Sequence, residues 1–269
     1  ELARYGWKYA TPVLTDPNPF TSLTNGGVII VSKYPIIEHD QLIYRGACSG
    51  SDCLAAKGAV YAKVQKDAGN FHIFATHFQA WYDDKARAAR EKQAAQLYNF
   101  AASKVSNKKE PVIFAGDFNV DLYKYPNDLQ VLVKALNASK PVIVGMEQFS
   151  SDPRIDMLVG KDGGAKLFGC QKEYDDTGFC TCCPQEQLDY VLYSMEHLQP
   201  ATTLNTPAHK KNDAYKKEKE IAGAGTVNIF NVAVKVPSFN VQWSNFGARK
   251  NITDLSDHFP VYSRMQFEF

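Results

Sequence analysis

The residues best suited to chemistry in this chain stand where apolar runs end. Residues 112–120 read Val-Ile-Phe-Ala-Gly-Asp-Phe-Asn-Val, and their apolar start predicts a buried strand. We expect Asp117 and Asn119 to share one face, because strand side chains alternate with period two. A carboxylate and a carboxamide aimed at one point suit a phosphate oxygen, an attacking water or a hard cation. The alternative is a turn in which both side chains only satisfy backbone groups.

Three further strand ends present groups of the same kind. The run from Phe71 is apolar until His77, and an apolar run near residue 190 contains Asp189. Asp257 and His258 precede a segment that predicts the last strand. A single histidine or acid in such a position usually caps a strand or bonds the core. Four such ends together indicate a site.

These residue types fit the hydrolysis of a phosphodiester. The reaction needs an activated water, neutralised charge on the phosphoryl oxygens and a stabilised leaving oxygen. His258 is the predicted general base, because imidazole titrates near neutral pH, and Asp189 would hold its tautomer and orientation. His77 would stabilise the phosphoryl oxygens or assist the leaving group, while Asp117 and Asn119 would orient the water and the phosphate. For Asp189, capping of the strand is the alternative.

The same segments resemble a known family. The matching motifs, in order, are T-H-F-Q-A at 76–80, G-D-F-N at 116–119, L-D-Y-V at 188–191 and S-D-H-F-P-V at 256–261. They resemble the endonuclease/exonuclease/phosphatase superfamily, which has the deoxyribonuclease-I-like fold. Within it the chain is most similar to neutral, magnesium-dependent sphingomyelinases, through N-G-G-V at 25–28, S-K-Y-P-I at 32–36, A-A-K-G at 55–58 and R-x-x-Q at 90–93.

The resemblance implies a fold, an activity and a cofactor. The fold would be mixed α/β (α+β), a four-layer sandwich of two packed, mostly antiparallel sheets with helices outside. The activity would be that of a sphingomyelinase C, which hydrolyses sphingomyelin to ceramide and phosphocholine at a membrane surface. The cofactor would be Mg²⁺, or another divalent cation such as Mn²⁺ or Co²⁺, with Asp257 and Asp117 as ligands beside an upstream glutamate.

Asp52 and Lys57 are similar to an aspartate–lysine pair that this family has near its site. The lysine would meet the substrate phosphate as a point charge, and the aspartate would hold it away until lipid binds. The alternative is a solvent-exposed ion pair that contributes little.

The elements that must position these residues follow from periodicity. Residues 27–31 and 59–64 predict strands, and a hairpin turn at 67–70 leads into the His77 strand. Residues 84–105 predict an amphipathic helix with an acidic start, and residues 128–136 predict a shorter one. Strands mixed with helices suit packed sheets with helices outside.

The first residues predict a domain that is incomplete at its start. Residues 1–6 predict the tail of a helix that ends at Gly6. In the resembled family two strands come earlier, and the second bears the metal-binding glutamate. We therefore expect residues 1–269 to form a single catalytic domain that lacks its first one or two strands and has little activity as this fragment.

Composition limits the partners. The chain has 269 residues, 45% of them hydrophobic, and a net charge of +1. A chain with no basic excess is not expected to bind nucleic acid, although a magnesium-dependent nuclease, another phosphodiesterase or a phosphatase on the same fold stays an alternative. A catalytically silent lipid-binding protein is the second alternative. No apolar run approaches the roughly 18 residues of a membrane span. We expect a monomer peripheral to membranes, with sphingomyelin or a related phospholipid as its partner.

Exposed aromatic residues would give such a protein access to lipid. Trp81 and Tyr82 follow the His77 strand directly, and Trp243 and Phe246 lie before Gly247. Aromatic side chains favour the interfacial zone of a bilayer. The alternative is that they fill the core beside the adjoining strands.

The six cysteines predict disulfides and a secreted protein, extracellular or lumenal. Cys48 and Cys53 would close a small loop, and Cys170 would pair with a cysteine of the cluster at 180, 182 and 183. Zinc binding is the weaker alternative, because the C-x-C-C spacing lacks paired C-x-x-C knuckles.

Mass spectrometry without reductant tests this pairing. We expect one disulfide-linked peptide joining Cys48 to Cys53 and a second joining Cys170 to the 180–183 cluster, because an oxidising compartment favours cross-links in exposed loops. Free thiols at 48 and 53 in protein from its native compartment would contradict secretion.

Overall fold

The computed structural model describes the chain in two compact units. The described residues are 2–18, 21–67, 69–144, 148–152, 185–207, 239–241, 250–252, 258 and 260–269. The first unit comprises Glu1–Ile143, Leu188–Asn205 and Ser263–Phe269, and the second comprises Val144–Gln187 and Thr206–Tyr262. The single catalytic domain stays a prediction.

Twelve strands and two α-helices are assigned among the described residues. The strands are β1 (Tyr9–Ala10), β2 (Val31–Ser32), β3 (Ile36–Ile43), β4 (Gly58–Lys66), β5 (Gly69–His77), β6 (Val112–Asp117), β7 (Ala138–Ser139), β8 (Asp189–Ser194), β9 (Thr202–Pro207), β10 (Phe239–Val241), β11 (Lys250–Ile252) and β12 (Val261–Gln266). The helices are α1 (Asp84–Lys104) and α2 (Pro126–Ala135). No helix of the described part of the chain is long and apolar enough to cross a membrane.

A six-stranded sheet organises the first unit. Its strands lie in the order β3-β4-β5-β6-β8-β7, while β1 pairs with β2 and β9 with β12 in two-stranded sheets. Within the large sheet β5 and β6 are parallel, and the other neighbours are antiparallel. The parallel pair needs a crossover between its strands, and α1 supplies it. The predicted mixed α/β class with mostly antiparallel strands is confirmed.

Alternating side chains of the sheet form two cores. Tyr61, Phe74 and Phe114 project to one face and pack in a cluster with Leu97 of α1 and Leu132 of α2. On β4, the alternate residues Val60, Ala62 and Val64 project to the other face and pack with Leu14, Val28 and Ile30. Both faces of the sheet are therefore covered within this unit, as burial of apolar area requires.

The predicted elements are confirmed except for one strand. The structure has α1 and α2 within a few residues of the predicted ranges, and β4 joins β5 in a hairpin with Lys66 opposite Gly69. Of residues 27–31, only the last belongs to a strand. Val28 and Ile30 still accept backbone hydrogen bonds from Leu14 and Thr11, so the segment is extended without a continuous ladder.

Gly116 permits the close approach of β5 and β6. Its φ is +138°, and a Cβ placed there would lie 2.0 Å from the carbonyl oxygen of Thr76. An L-residue is disfavoured in that conformation, and the clash is with backbone, which cannot rotate away. The strand ends that present His77 and Asp117 therefore depend on glycine here.

Substitution of Gly116 by alanine tests this constraint. We expect Gly116→Ala to lower the free energy of unfolding by at least about 3 kcal/mol, because conformational strain adds to the clash with backbone. Gly46→Ala is the matched control, since Gly46 has φ +61° but nothing within 4 Å of its Cβ position. It should cost only about 1–2 kcal/mol. Equal shifts in urea denaturation midpoints would show that the close approach contributes nothing.

Candidate active site

The register of the central strands places three predicted site residues side by side. His77 is opposite Asp117 across β5 and β6, and Asp117 is opposite Asp189 across β6 and β8. Residues in direct register project to the same face. The His77 Nε2 lies 3.4 Å from the Asp117 Oδ2, and carboxylate oxygens of Asp117 and Asp189 lie within 4.8 Å of each other. Three separate strands thus contribute to one row of titratable groups.

Asn119 reaches this row through a turn. The strand β6 ends at Asp117, and Asn119 has a left-handed backbone with φ +51°. Its backbone N–H donates to the Asp117 Oδ1 at 2.8 Å, and its side-chain Nδ2 donates to the Asp117 Oδ2 at 3.1 Å and to the Phe78 carbonyl at 3.0 Å. Strand alternation is therefore not what brings Asn119 to Asp117; an Asx-type turn is.

The acidic pair fits a hard divalent cation. Two carboxylates this close repel each other, and a cation held by Asp117 would reduce that repulsion. Oxygen donors are the ligands that Mg²⁺ prefers. Among the residues predicted as metal ligands, Asp117 is in the row, while Asp257 lies outside the described residues. Asp189, predicted to orient a histidine, offers a further oxygen donor.

His258 belongs to the second unit, where its side chain is partly buried. Its predicted contact with Asp189 stays a prediction. Four of the five predicted catalytic residues are therefore in the row or bonded to it: His77, Asp117 and Asp189 form the row, and Asn119 is hydrogen-bonded to Asp117.

Lys57 is a buried cation beside the row. Its side chain is 5% exposed, and the Nζ donates to the Phe78 carbonyl at 2.9 Å and lies 3.2 Å from the Asp52 Oδ2. Burial lowers the pKa of the Lys57 ammonium, while the charge of Asp52 and, less strongly, that of Asp117 raise it. The predicted pair is formed, and the alternative of a solvent-exposed pair is wrong for Lys57.

The predicted disulfide restrains the acid of this pair. Cys48 is bonded to Cys53, which lies with Asp52 in a short 3₁₀ helix, Gly50–Leu54. The Asp52 Oδ2 also accepts the backbone N–H of Ala80 at 2.7 Å. The second predicted disulfide, at Cys170, Cys180, Cys182 and Cys183, lies outside the described residues.

Three buried polar residues, Gln79, Arg90 and Gln93, fix the segment after His77. The motifs T-H-F-Q-A and R-x-x-Q contain them but do not by themselves predict this role. The Gln79 side chain accepts from the Ser49 N–H at 2.8 Å, and the Gln79 backbone N–H donates to the Gln93 Oε1 at 2.8 Å. Gln93 also donates to the Ala47 carbonyl at 2.7 Å. Arg90 donates to the Gln79 carbonyl at 2.9 Å. The R-x-x-Q spacing was the available signal, because i and i+3 share a helix face.

Fold and strand-end acids together define a deoxyribonuclease-I-like protein. The profile described as the Endonuclease/Exonuclease/phosphatase family matches residues 1–258. The chain therefore belongs to that family.

The individual relatives share about 30% identity with this chain, and the chain spans less than two thirds of their length. The chain is 32% identical to Sphingomyelinase C 2 of Leptospira interrogans over 187 residues, which cover 68% of this chain and 27% of that protein. It is 28% identical to Sphingomyelinase C of Listeria ivanovii over 247 residues, which cover 89% of this chain and 59% of that protein. Its fold is similar to that of a Staphylococcus aureus beta toxin variant with bound magnesium ions, at a TM-score of 0.69 and 24% identity, covering 97% of this chain and 78% of that one.

Titration of Lys57 tests the electrostatics of the pair. We expect Asp52→Asn to lower the pKa of Lys57 further below its ordinary value of 10.5, because it removes the nearest opposite charge while burial stays. In the wild type the unfolded chain binds more protons between the folded and unfolded pKa values, so the contribution of Lys57 to stability rises with pH across that window. Side-chain ¹³C NMR reports the pKa. Asp40→Asn, which removes the partner of Lys104 on α1, is the control and should leave the Lys57 pKa unchanged.

Proposed function

We propose that this protein is a magnesium-dependent phosphodiesterase that hydrolyses sphingomyelin to ceramide and phosphocholine. The observation that carries the proposal is the row of His77, Asp117 and Asp189 at one level of the sheet, with Lys57 beside it. Acid, imidazole and ammonium groups close together can supply the proton transfer and the charge stabilisation that phosphodiester hydrolysis requires. The proteins named sphingomyelinase C among its relatives support the substrate.

Each residue has a proposed role in the reaction. His258 accepts the proton of the attacking water, and Asp189 holds the imidazole in the orientation that leaves its acceptor nitrogen toward the water. His77 donates to a phosphoryl oxygen or to the leaving oxygen. Asn119, fixed by its bonds to Asp117 and Phe78, orients the phosphate.

Asp117 and Asp257 would hold a divalent cation, Mg²⁺ in our proposal. When bound, such an ion neutralises charge that develops on the phosphoryl oxygens. Asp117 would then serve both the cation and the turn at Asn119, which fixes the position of its carboxylate before the ion arrives.

Lys57 would contact the substrate phosphate through its Nζ. In the structure the Lys57 Nζ is paired with Asp52 and donates to the Phe78 carbonyl. Loss of the Asp52 contact would free a donor and a charge within reach of the row, since Phe78 directly follows His77. The pair would thus couple the disulfide-closed loop to the phosphate position.

The proposed setting is an oxidising compartment outside the cytosol. The Cys48–Cys53 disulfide supports secretion. The protein would act as a monomer at the surface of a bilayer that holds its substrate.

Release of phosphocholine from sphingomyelin vesicles tests this function. We expect the full-length wild-type protein to require magnesium and to lose activity with EDTA. His258→Ala should lower the rate by about 10²–10⁴-fold, because a general base contributes that much, while vesicle binding stays unchanged. His39→Ala, on the exposed surface of β3, is the matched control and should keep the wild-type rate.

Plasmid DNA with magnesium is assayed beside the vesicles. Cleavage of DNA without release of phosphocholine would assign the protein to the nuclease alternative. A His258→Ala rate above about a tenth of the wild-type rate would remove His258 from the role of base.

A further inference from the structure

Trp81 is exposed and has a backbone conformation that is unfavourable for a bulky residue. Its φ is +74°, and the residue is 48% exposed. A bulky L-residue in the left-handed region is an outlier that persists only where the surroundings hold it. The protein therefore keeps Trp81 about half exposed, four residues after His77, at a conformational cost.

A buried guanidinium holds this conformation. Arg90 of α1 is 2% exposed, and its Nη1 donates to the carbonyl of Trp81 as well as to that of Gln79. Two carbonyls fixed by one charged donor leave the chain between them little freedom. Arg90 thus fixes the exposed position of Trp81 in the segment that follows His77.

The loop after β6 presents a second exposed aromatic residue, Tyr123, beside Lys124. Tyr82 stacks on Tyr125 with ring centroids 4.4 Å apart, and this contact joins the loop after β5 to the loop after β6. The Lys124 Nζ lies 5.7 Å from the Tyr82 ring and 5.4 Å from the Tyr125 ring. Tyr123 is 48% exposed. We call this set the aromatic rim: Trp81, Tyr82, Tyr123, Lys124 and Tyr125.

The rim stands beside the site row. Its two loops begin at the ends of β5 and β6, at His77 and Asp117. A substrate phosphate held at the row would therefore have the rim at its side. A lipid substrate would bring its bilayer up to the residues around the row, the rim among them.

The charges around the rim balance. Apart from Asp121, which is buried, three acids and three bases lie on the two loops and the first turns of the two helices: Asp83, Asp84, Asp128, Lys85, Arg87 and the rim residue Lys124. Arg87 is paired with Asp128 at 2.8 Å. A balanced surface has little attraction for an anionic membrane, and its affinity must come from the aromatic rings.

We propose that the aromatic rim is the docking surface of this protein for a zwitterionic phosphocholine bilayer. Trp81 and Tyr123 enter the interfacial zone, where amphipathic rings are most stable, and the Lys124 ammonium stays at the level of the lipid phosphates. This inference rests on the proposed function, because that function supplies the lipid substrate. It adds the residues that bring the bilayer to the site.

Binding to phosphatidylcholine vesicles in the presence of EDTA tests the docking surface without turnover. We expect Trp81→Ala and Tyr123→Ala, made separately, each to weaken co-sedimentation by about tenfold or more, since aromatic anchors dominate such interfaces. Tyr34→Ala is the matched control. Tyr34 is also exposed, at 42%, with the Lys66 Nζ 5.3 Å from its ring, and it precedes β3 at the end of the sheet opposite His77. It should bind as the wild type does.

A second readout separates docking from chemistry. Hydrolysis of sphingomyelin vesicles should fall in both rim variants, while hydrolysis of a water-soluble phosphocholine ester should not change. Wild-type vesicle binding by both rim variants would overturn the proposal. So would an equal loss on both substrates, which would place the rings inside the reaction, or binding that needs anionic lipid and disappears with salt.

Failure of this inference is distinguishable from failure of the proposed function. A wild-type protein that binds phosphatidylcholine vesicles through Trp81 but releases no phosphocholine would contradict the function and leave the docking surface in place. Tyr123→Ala covers the case in which Trp81→Ala does not fold, because Tyr123 has an ordinary backbone conformation.

Discussion

The parallel pairing of β5 with β6 is the constraint on which the rest of the described site depends. It sets His77 opposite Asp117, and the antiparallel partner β8 then sets Asp189 opposite Asp117. Parallel strands cannot be joined by a tight turn, so α1 must lie between them in the chain. That helix supplies the residues that fix the segment after His77. The β5–β6 pairing thus aligns the reactive groups, and the helix it requires provides Arg90 and Gln93.

Buried polar side chains around the site fix the positions of its loops. Lys57, Gln79, Arg90 and Gln93 are all 5% exposed or less. Each donates to a main-chain carbonyl of a loop. Loop carbonyls hidden from water need such partners, because an unpaired one costs about 1–3 kcal/mol. The loops can therefore be irregular, as Trp81 and Asn119 are, and still hold one conformation.

The same loops join chemistry to surface. Asp117 and Asn119 form a closed turn, and a few residues later the chain reaches Tyr123 and Tyr125. The loop after β5 passes from His77 to Trp81 over a similar distance. Loops on a rigid sheet commonly combine both functions, because the sheet fixes their first residues and leaves the rest free to vary. The lipid substrate that we propose would need both, since its phosphate would lie just below the surface of its bilayer.

The sequence by itself determined the elements and the reactive residue types. Apolar runs with a polar end predicted β5, β6 and β8, and helical periodicity predicted α1 and α2, because these signals depend only on neighbours in the chain. Cysteine spacing likewise predicted the Cys48–Cys53 disulfide. Only the tertiary structure decided the register that aligns His77, Asp117 and Asp189, the turn that bends Asn119 back onto Asp117, and the burial of Lys57. It also decided that Arg90 holds Trp81 in an exposed position with a strained backbone. These features depend on contacts between residues far apart in the chain, and side-chain period and composition contain no information about which strand is opposite which.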